Sequence, residues 1–435
     1  MMNLTAAERT DRWFVPDRFG MFIHWGPGAL HPGEVSWARY REPILDADYQ
    51  KYVDHFEPDL YDPDAWMAAA KKAGMKYAVL TTKHQDGFCL WDSKLTDYKA
   101  TNTPAGRDLV KPFVEACRRH GIKVGFYYSL IDWNHPHFTL DFLHPMRNDP
   151  ATLAQKRSMP VYAAYMREQL RELLTWFGTV DLLWFDFSYP EPERPKLAGW
   201  PADHWVGKGK DDWESEHLLE MVRDLQPATV VNDRLGIPGD YLSSEQYQPS
   251  NAPQRDGRPV PWEACMTLND TWAYNREDRN WKSAEMVLRS LVESVSMNGN
   301  LLLNVGPNGR GVLDHATLDC LGAVGDWMRL HGRSIYGCGA SAFRAPEGCR
   351  YTQSGNRLYV HLLSWPRKYL RLEGLGNRVV YAQLLNDASE IRRAKRFHMI
   401  LEHEVWDADA LVLDLPTQPP GPLPVIELFL NGGSM

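Results

Sequence analysis

The sequence predicts an α/β protein, a (β/α)8 barrel of the TIM type followed by a C-terminal antiparallel β-sandwich. Three observations carry that expectation. The chain has 435 residues, too many for one small domain and suited to one large barrel with a smaller companion. Over residues 1–335, short apolar runs alternate with segments of helical period. From about residue 340 to 435, short β-type runs between Gly, Pro, Asn and Asp turns replace that alternation.

Eight runs read as strands: 18–25, 77–82, 123–130, 181–187, 229–233, 242–247, 265–268 and 300–305. Helical patterns fall between several of them. Segment 62–72 has Pro63 near its start and Gly74 past its end, the start and stop signals of a helix. Segment 108–119 sets Leu109, Phe113 and Cys117 on one face and stops at Gly121. Segment 162–177 repeats Tyr162, Met166, Leu170, Leu173 and Leu174 at helical spacing. Segments 213–225, 283–297 and 313–330 complete the set. Strands that alternate with helices pair in parallel through right-handed crossovers, and eight of them suit a closed barrel. Two stretches depart from the pattern: 248–260 is loop-like, and 134–157 is a long excursion after the third run. In the tail, 358–363, 369–372, 379–384, 399–402, 410–413 and 425–428 read as short strands.

Composition narrows the function. A formal net charge of −8 repels a phosphate backbone, so nucleic acid is not an expected partner. No apolar run reaches membrane-spanning length, so no membrane association is expected. The N-terminus shows no apolar h-region; the chain as written reads as soluble and cytoplasmic, although a chain already trimmed of a signal peptide would look the same. The six cysteines are dispersed without a C-x-x-C pair, which fits free buried thiols. The 17 Trp and 19 Tyr fit a large aromatic core equally well as rings covering the C–H faces of a sugar.

In such barrels the chemistry sits at the C-terminal strand ends. Those ends carry His24-Trp25, Lys83-His84, Tyr127-Tyr128, Asp186, Asn232-Asp233-Arg234, Glu245 and Asn304. Polar groups recurring where each apolar run stops point to a polar pocket. Asp186 follows Leu-Leu-Trp-Phe; a carboxylate there is a helix cap, an ion pair or a site residue. Glycoside hydrolysis needs two carboxyl groups across the scissile bond. Glu245 and Glu263 are the candidates for the second, and chain spacing does not choose between them. His24 and His84 are candidate donors to sugar hydroxyls or, equally, core histidines. Arg234 is placed to orient a carboxylate such as Glu245, or to form a rim ion pair. His135-Pro-His137 has an H-x-H form used by metallohydrolases, but no carboxylate cluster accompanies it, and metal catalysis is not expected. There is no dinucleotide fingerprint, Walker loop or nucleophile elbow.

Taken together, the motifs resemble those of glycoside hydrolase family 29, the α-L-fucosidases. The matching stretches are Arg18-Phe-Gly-Met-Phe-Ile-His24-Trp-Gly, Thr81-Thr-Lys-His84-Gln-Asp-Gly-Phe, Gly106-Arg-Asp108, Gly125-Phe-Tyr-Tyr-Ser-Leu-Ile-Asp-Trp133, Leu183-Trp-Phe-Asp186, Val230-Val-Asn-Asp-Arg234, Trp262-Glu-Ala-Cys265 and Gly299-Asn-Leu-Leu-Leu-Asn304-Val-Gly-Pro307. They run in family order across residues 10–340, and the tail resembles the family's β-sandwich. The resemblance implies a retaining exo-glycosidase that uses no metal and no organic cofactor. Asp186 is then the nucleophile, with Glu245 ahead of Glu263 as acid/base. His24, Trp37, His84, Tyr128, Trp184 and Arg234 are implied to line the fucose subsite, with Trp272 over its methyl group. The implied partner is a fucosylated oligosaccharide or glycoconjugate; whether the chain forms a homo-oligomer is left open.

Two positions depart from the family pattern. Gln85 follows His84 where many members have a second histidine, and Ser36 precedes Trp37 where many have glutamate. Both positions touch the sugar in relatives, so Gln85 joins the expected binding residues. An altered partner for one hydroxyl shifts preference by tens-fold. The alternative substrate is therefore an α-L-galactoside or another L-sugar. The alternative of another class is a non-catalytic fucose-binding barrel, against which both glutamates speak.

Overall fold

The computed structural model describes residues 4–33, 38–41, 44–189, 207–394 and 409–431. Eight parallel strands form one curled sheet: β1 Phe19–Ile23, β2 Tyr77–Lys83, β3 Lys123–Ser129, β4 Leu182–Asp186, β5 Val230–Val231, β6 Leu242–Glu245, β7 Trp262–Thr267 and β8 Gly299–Val305. Their order is β5-β4-β3-β2-β1-β8-β7-β6, the cyclic order of a (β/α)8 barrel with a seam between β5 and β6. The seam is stitched by side chains instead of a ladder. Asp233 Oδ1 accepts the Ser243 amide (3.1 Å), and buried Asp240 accepts the Val231 amide (2.9 Å).

Six long helices cover the outside: α1 Pro63–Ala73, α2 Val110–His120, α3 Met159–Trp176, α4 Ser215–Leu225, α5 Ala284–Ser296 and α6 His315–His331. The sequence signals act as expected. Asp62 caps α1 through the Asp64 and Ala65 amides, and Gly74 ends it at φ 89°, a left-handed conformation that glycine adopts without steric cost. The helix expected over 213–225 breaks at Glu214 (φ 49°) into a one-turn helix, Lys210–Trp213, and α4. No helix links β5 to β6 or β6 to β7; Gln254–Arg255 and Arg258–Pro259 form a small hairpin in the second link. β7 starts three residues before the expected run because Glu263 lies in it, a charge-bearing side chain that the barrel nonetheless buries.

The tail builds two antiparallel sheets. They contain β9 Cys349–Ser354, β10 Arg357–Leu362, β11 Tyr369–Leu372, β12 Val379–Leu384, β13 Leu411–Asp414 and β14 Val425–Leu430. The orders are β9-β10-β14-β12 and β11-β13. The run expected at 399–402 lies outside the described residues. β9 was not legible as a strand, because Arg350, Thr352, Gln353 and Ser354 make it polar. The tail has its own apolar core, centred on Leu358, Val360, Leu372, Leu413 and Ile426. It also docks on α5 and α6: the Trp327 indole donates to the Leu423 carbonyl (3.0 Å), and Arg289 to that of Leu363 (3.2 Å).

Side chains alternate across the barrel wall with period two. Met21, Leu80, Phe126 and Leu183 face the helices, whereas Phe22, Val79, Tyr127, Trp184, Cys265 and Leu302 fill the interior. Trp13 and Phe14 plug the bottom, Trp13 edge to face with Tyr77 and Phe14 tilted against Tyr241, with ring centroids 5.5 and 4.5 Å apart. The upper end stays open. All six cysteines are free, five of them buried.

Candidate active site

Polar side chains recur where the strands reach the open end, and five of them, His24, His84, Asp186, Arg234 and Glu245, meet in one cleft of about 450 Å³. The strand register brings them level: Ser129 pairs with Asp186, Phe22 with Asn304 and Glu245 with Cys265. Asp186 sits at the centre. Its Oδ2 accepts the Tyr127 hydroxyl (3.0 Å), and its Oδ1 accepts the Phe187 amide (3.0 Å) and Arg234 Nη1 (3.2 Å). The other nitrogen of the same guanidinium, Nη2, binds Glu245 Oε2 at 2.9 Å. One arginine thus joins two carboxylates from different strands. Arg234 is itself held over the Trp184 ring, 5.2 Å from its centroid.

Environment separates the two carboxyl groups. Burial raises the Asp186 carboxyl and Glu245's charge raises it further, while Arg234, Tyr127 and the Phe187 amide oppose the rise. Asp186 keeps 14% of its side-chain surface and Glu245 keeps 39%, so the more exposed acid lies toward the mouth. Each carboxylate is followed by a residue in the left-handed region, Phe187 at φ 77° and Gln246 at φ 60°. Strain of this kind costs roughly 1–3 kcal/mol per residue and collects at functional sites. Here it turns the chain sharply away immediately after each carboxylate.

His24 and His84 line the same cleft. His24 is buried, which pushes its pKa down to about 3 and keeps the ring neutral. Asn304 donates its amide to the Trp272 carbonyl (2.6 Å), so its Oδ1 faces His24 Nδ1 at 2.6 Å as acceptor. The neutral ring therefore carries its proton on Nδ1, and Nε2 is left as an acceptor. This tautomer presents an acceptor to the cleft, where a donor was expected. His84 stacks on Tyr127 (5.2 Å, 12° between planes), and burial and His24 hold it well below its ordinary pKa. Trp272 closes this end, its ring 5.0 Å from His24 and 6.0 Å from Phe22. Gln85 is buried behind His84, lining a smaller cavity that also reaches His24.

Other expected residues lie elsewhere. Tyr128 points outward, where its hydroxyl donates to Gln169 at 2.7 Å and its ring lies 4.3 Å from the buried Lys83 ammonium. Tyr127, one residue earlier, occupies the cleft. Both tyrosines stand at the strand end in the sequence, where Tyr128 was expected to line the site; the parity that Tyr127 shares with Trp184, its register partner, distinguishes them. Glu263 is in the interior but below the cleft. It pairs in register with Ser243, two residues before Glu245, and two strand residues span about 6.6 Å. Fully buried, it accepts Tyr77 Oη (2.5 Å), Tyr241 Oη (3.3 Å) and Trp184 Nε1 (3.3 Å). Ser36 and Trp37 lie outside the described residues. His135 rests on Tyr165 with ring centroids 4.2 Å apart, and no group of three or more metal-ligating side chains occurs among the described residues.

A family model described as alpha-L-fucosidase matches residues 2–333. The chain belongs to the α-L-fucosidase family, glycoside hydrolase family 29. The family's solved structures share its whole architecture. Alpha-L-fucosidase isoenzyme 1 from Paenibacillus thiaminolyticus is 47% identical, with a TM-score of 0.89 over 98% of this chain and 100% of that one. A family 29 enzyme from Bacteroides thetaiotaomicron is 27% identical, with a TM-score of 0.81 over 99% and 97% of the two chains. It was trapped as a covalent intermediate with 2-fluoro-fucosyl fluoride in a Glu-to-Gln mutant. The tissue alpha-L-fucosidase of Rattus norvegicus is 27% identical over 95% of this chain and 87% of its own length. Among the described residues, no helix is long and apolar enough to cross a membrane.

Proposed function

We propose that the chain removes terminal α-L-fucosyl residues by double displacement, with Asp186 as nucleophile and Glu245 as acid/base. The family establishes the class of enzyme, a retaining fucoside hydrolase. The observation that carries the assignment of residues is the Arg234 guanidinium bridging Asp186 and Glu245 at the open end of the barrel. Glu263, one layer down and enclosed by three donors, has no such access.

In the first step an Asp186 oxygen attacks the anomeric carbon while Glu245 gives its proton to the departing glycosidic oxygen. The glycosidic C–O bond breaks as the ester bond forms. In the second step Glu245, now ionised, takes a proton from water, which attacks the same carbon and frees Asp186. Arg234 and Tyr127 hold the nucleophile on its line of attack and favour its charged form. His24 Nε2 and His84 receive the sugar hydroxyls, and the apolar faces of Trp272 and Phe22 suit the 6-methyl group. The substrate is then a fucosylated oligosaccharide or glycoconjugate.

The test is Asp186→Ala assayed on an aryl α-L-fucoside with and without azide. Loss of hydrolysis with azide-dependent release of β-L-fucosyl azide is expected, and undiminished hydrolysis would remove Asp186 from the role. The α-L-galactoside alternative is measured alongside, as the ratio of kcat/KM for the two aryl glycosides.

A further inference from the structure

The cleft has two kinds of wall. Its floor is made by strand ends, whose side chains the double displacement uses. Its outer wall comes from the loops after β3 and β4 and consists of Phe142, Leu143 and Tyr189, with Tyr40 beside them. The chemistry described above requires none of these. Phe142 and Tyr189 meet edge to face, with ring centroids 5.7 Å apart and planes at 87°.

Under this wall lies a buried ion pair. Asp141 and Lys208 both have 0% of their side-chain surface exposed, and Lys208 Nζ reaches Asp141 Oδ2 at 3.0 Å. The same Oδ2 accepts the Tyr189 hydroxyl (2.5 Å), and Oδ1 accepts the Leu143 and His144 amides (2.9 and 3.0 Å). The Lys208 ammonium rests 4.7 Å from the Phe138 ring. Burying two charges is costly and is not by itself a gain in stability. What this pair does is tie the Phe142–Leu143 segment to the segment carrying Tyr189, so both rings are ordered before anything binds. A preorganised wall loses little entropy on binding, and aromatic faces stack on the C–H faces of sugars.

Geometry decides what reaches this wall. The fucosyl unit must lie on Asp186 with its leaving oxygen toward Glu245. Glu245 and this wall line the same cleft, so a sugar beyond that oxygen comes within reach of the wall. We propose that Phe142 and Tyr189, held in place by the Asp141–Lys208 pair, form a leaving-group subsite that stacks on a pyranose ring of the aglycone, so that the enzyme favours fucosyl oligosaccharides over fucosides of small leaving groups. This rests on the placement of Asp186 and Glu245 given above.

The experiment compares kcat/KM for an α-L-fucosyl disaccharide with that for α-L-fucosyl fluoride, whose leaving group is a single atom. In Phe142→Ala and Tyr189→Leu the disaccharide-to-fluoride ratio is expected to fall about ten-fold, the scale of one lost stacking contact. Asp141→Asn should lower the ratio as well, through KM for the disaccharide, because it loosens the wall without removing a ring. Phe142→Leu serves if the alanine variant does not fold, since it keeps bulk and loses the flat face. Ratios within about two-fold of wild type in the ring variants overturn the subsite. A wild-type enzyme that releases no fluoride overturns the catalytic reading and the subsite with it, a result distinct from an unchanged ratio.

Discussion

At the residue scale, the placement of hydrogen-bond partners separates side chains that the sequence treats alike. Tyr127 and Tyr128 are neighbours of one type, yet only Tyr127 touches the proposed nucleophile. Removing a hydrogen bond to a charged group costs about 1.5–3 kcal/mol. Tyr127→Phe should therefore lower kcat/KM on an aryl fucoside by roughly ten- to a hundred-fold. Tyr128→Phe, which loses only the bond to Gln169, should lower the melting temperature and keep the rate. Equal rate losses in the two variants would contradict this geometry. The two glutamates divide in the same way. Glu245→Gln should slow fucosides of poor leaving groups far more than activated aryl fucosides, because only the former need a proton from the acid. A uniform slowing across leaving groups would argue against Glu245 as the acid. Glu263→Gln puts an amide N–H in place of one carboxyl oxygen, where it faces either the Tyr77 hydroxyl or the Trp184 and Tyr241 donors, so its measurable effect is a lower unfolding temperature.

At the scale of elements, the site depends on strand ends being held at one height, and helices hold them. α6 follows β8, which carries Asn304, and its N-cap is Asp314, whose Oδ1 accepts the Thr317 amide at 2.8 Å. Asp314→Ala should cost about 1 kcal/mol by chemical denaturation, the usual worth of such a cap. A change below about 0.3 kcal/mol would show that packing of Trp327 and Met328 alone fixes the helix. The seam between β5 and β6 is the weak part of the barrel. β5 has two residues, and side chains replace the ladder there. That seam is also where Arg234 and Glu245 sit, on either side of it. An irregular edge allows two long side chains to lean across the opening, which a regular ladder with its covering helix would not.

At the scale of the whole molecule, buried histidines tie stability to pH. His24, His144 and His361 are pushed down to about 3 by burial, and His84 is held well below its ordinary value. A histidine that folds neutral binds fewer protons than it does unfolded. Its stabilising share is whole above about pH 6.5, and it is lost as pH falls toward 3, at about 1.4 kcal/mol per pH unit for each fully differing group. Glu263 acts in the opposite sense. Burial raises it to about 7, so the folded state binds its proton more tightly and this contribution is lost as pH rises from 4.5 through 7. Asp186, raised to about 7 by burial, acts in the same sense as Glu263. The two effects partly cancel between pH 4.5 and 6.5; below that window carboxylates held low by hydrogen bonds, such as Asp92 and Asp64, act in the same direction as the histidines. A melting temperature that falls gently from pH 6.5 to 4.5 and steeply below 4.5 is expected. A flat profile down to pH 4 would contradict it.

Much of this was legible before any coordinates. The eight apolar runs became the eight strands, because a parallel strand buried on both faces reads as a continuous hydrophobic stretch. Asp186 and Arg234 were visible as polar residues closing such runs, α1 showed its start and stop signals, and α2 its stop. Whether Glu245 or Glu263 faces Asp186, and whether Tyr127 or Tyr128 does, was beyond a linear reading. Both answers depend on pleat parity and on how far along the barrel axis each strand begins, and the register against neighbouring strands decides both. The sequence by itself determined which residues end the strands. Only the tertiary structure decided their depth and direction, because strands from distant parts of the chain meet in a register that no local pattern specifies.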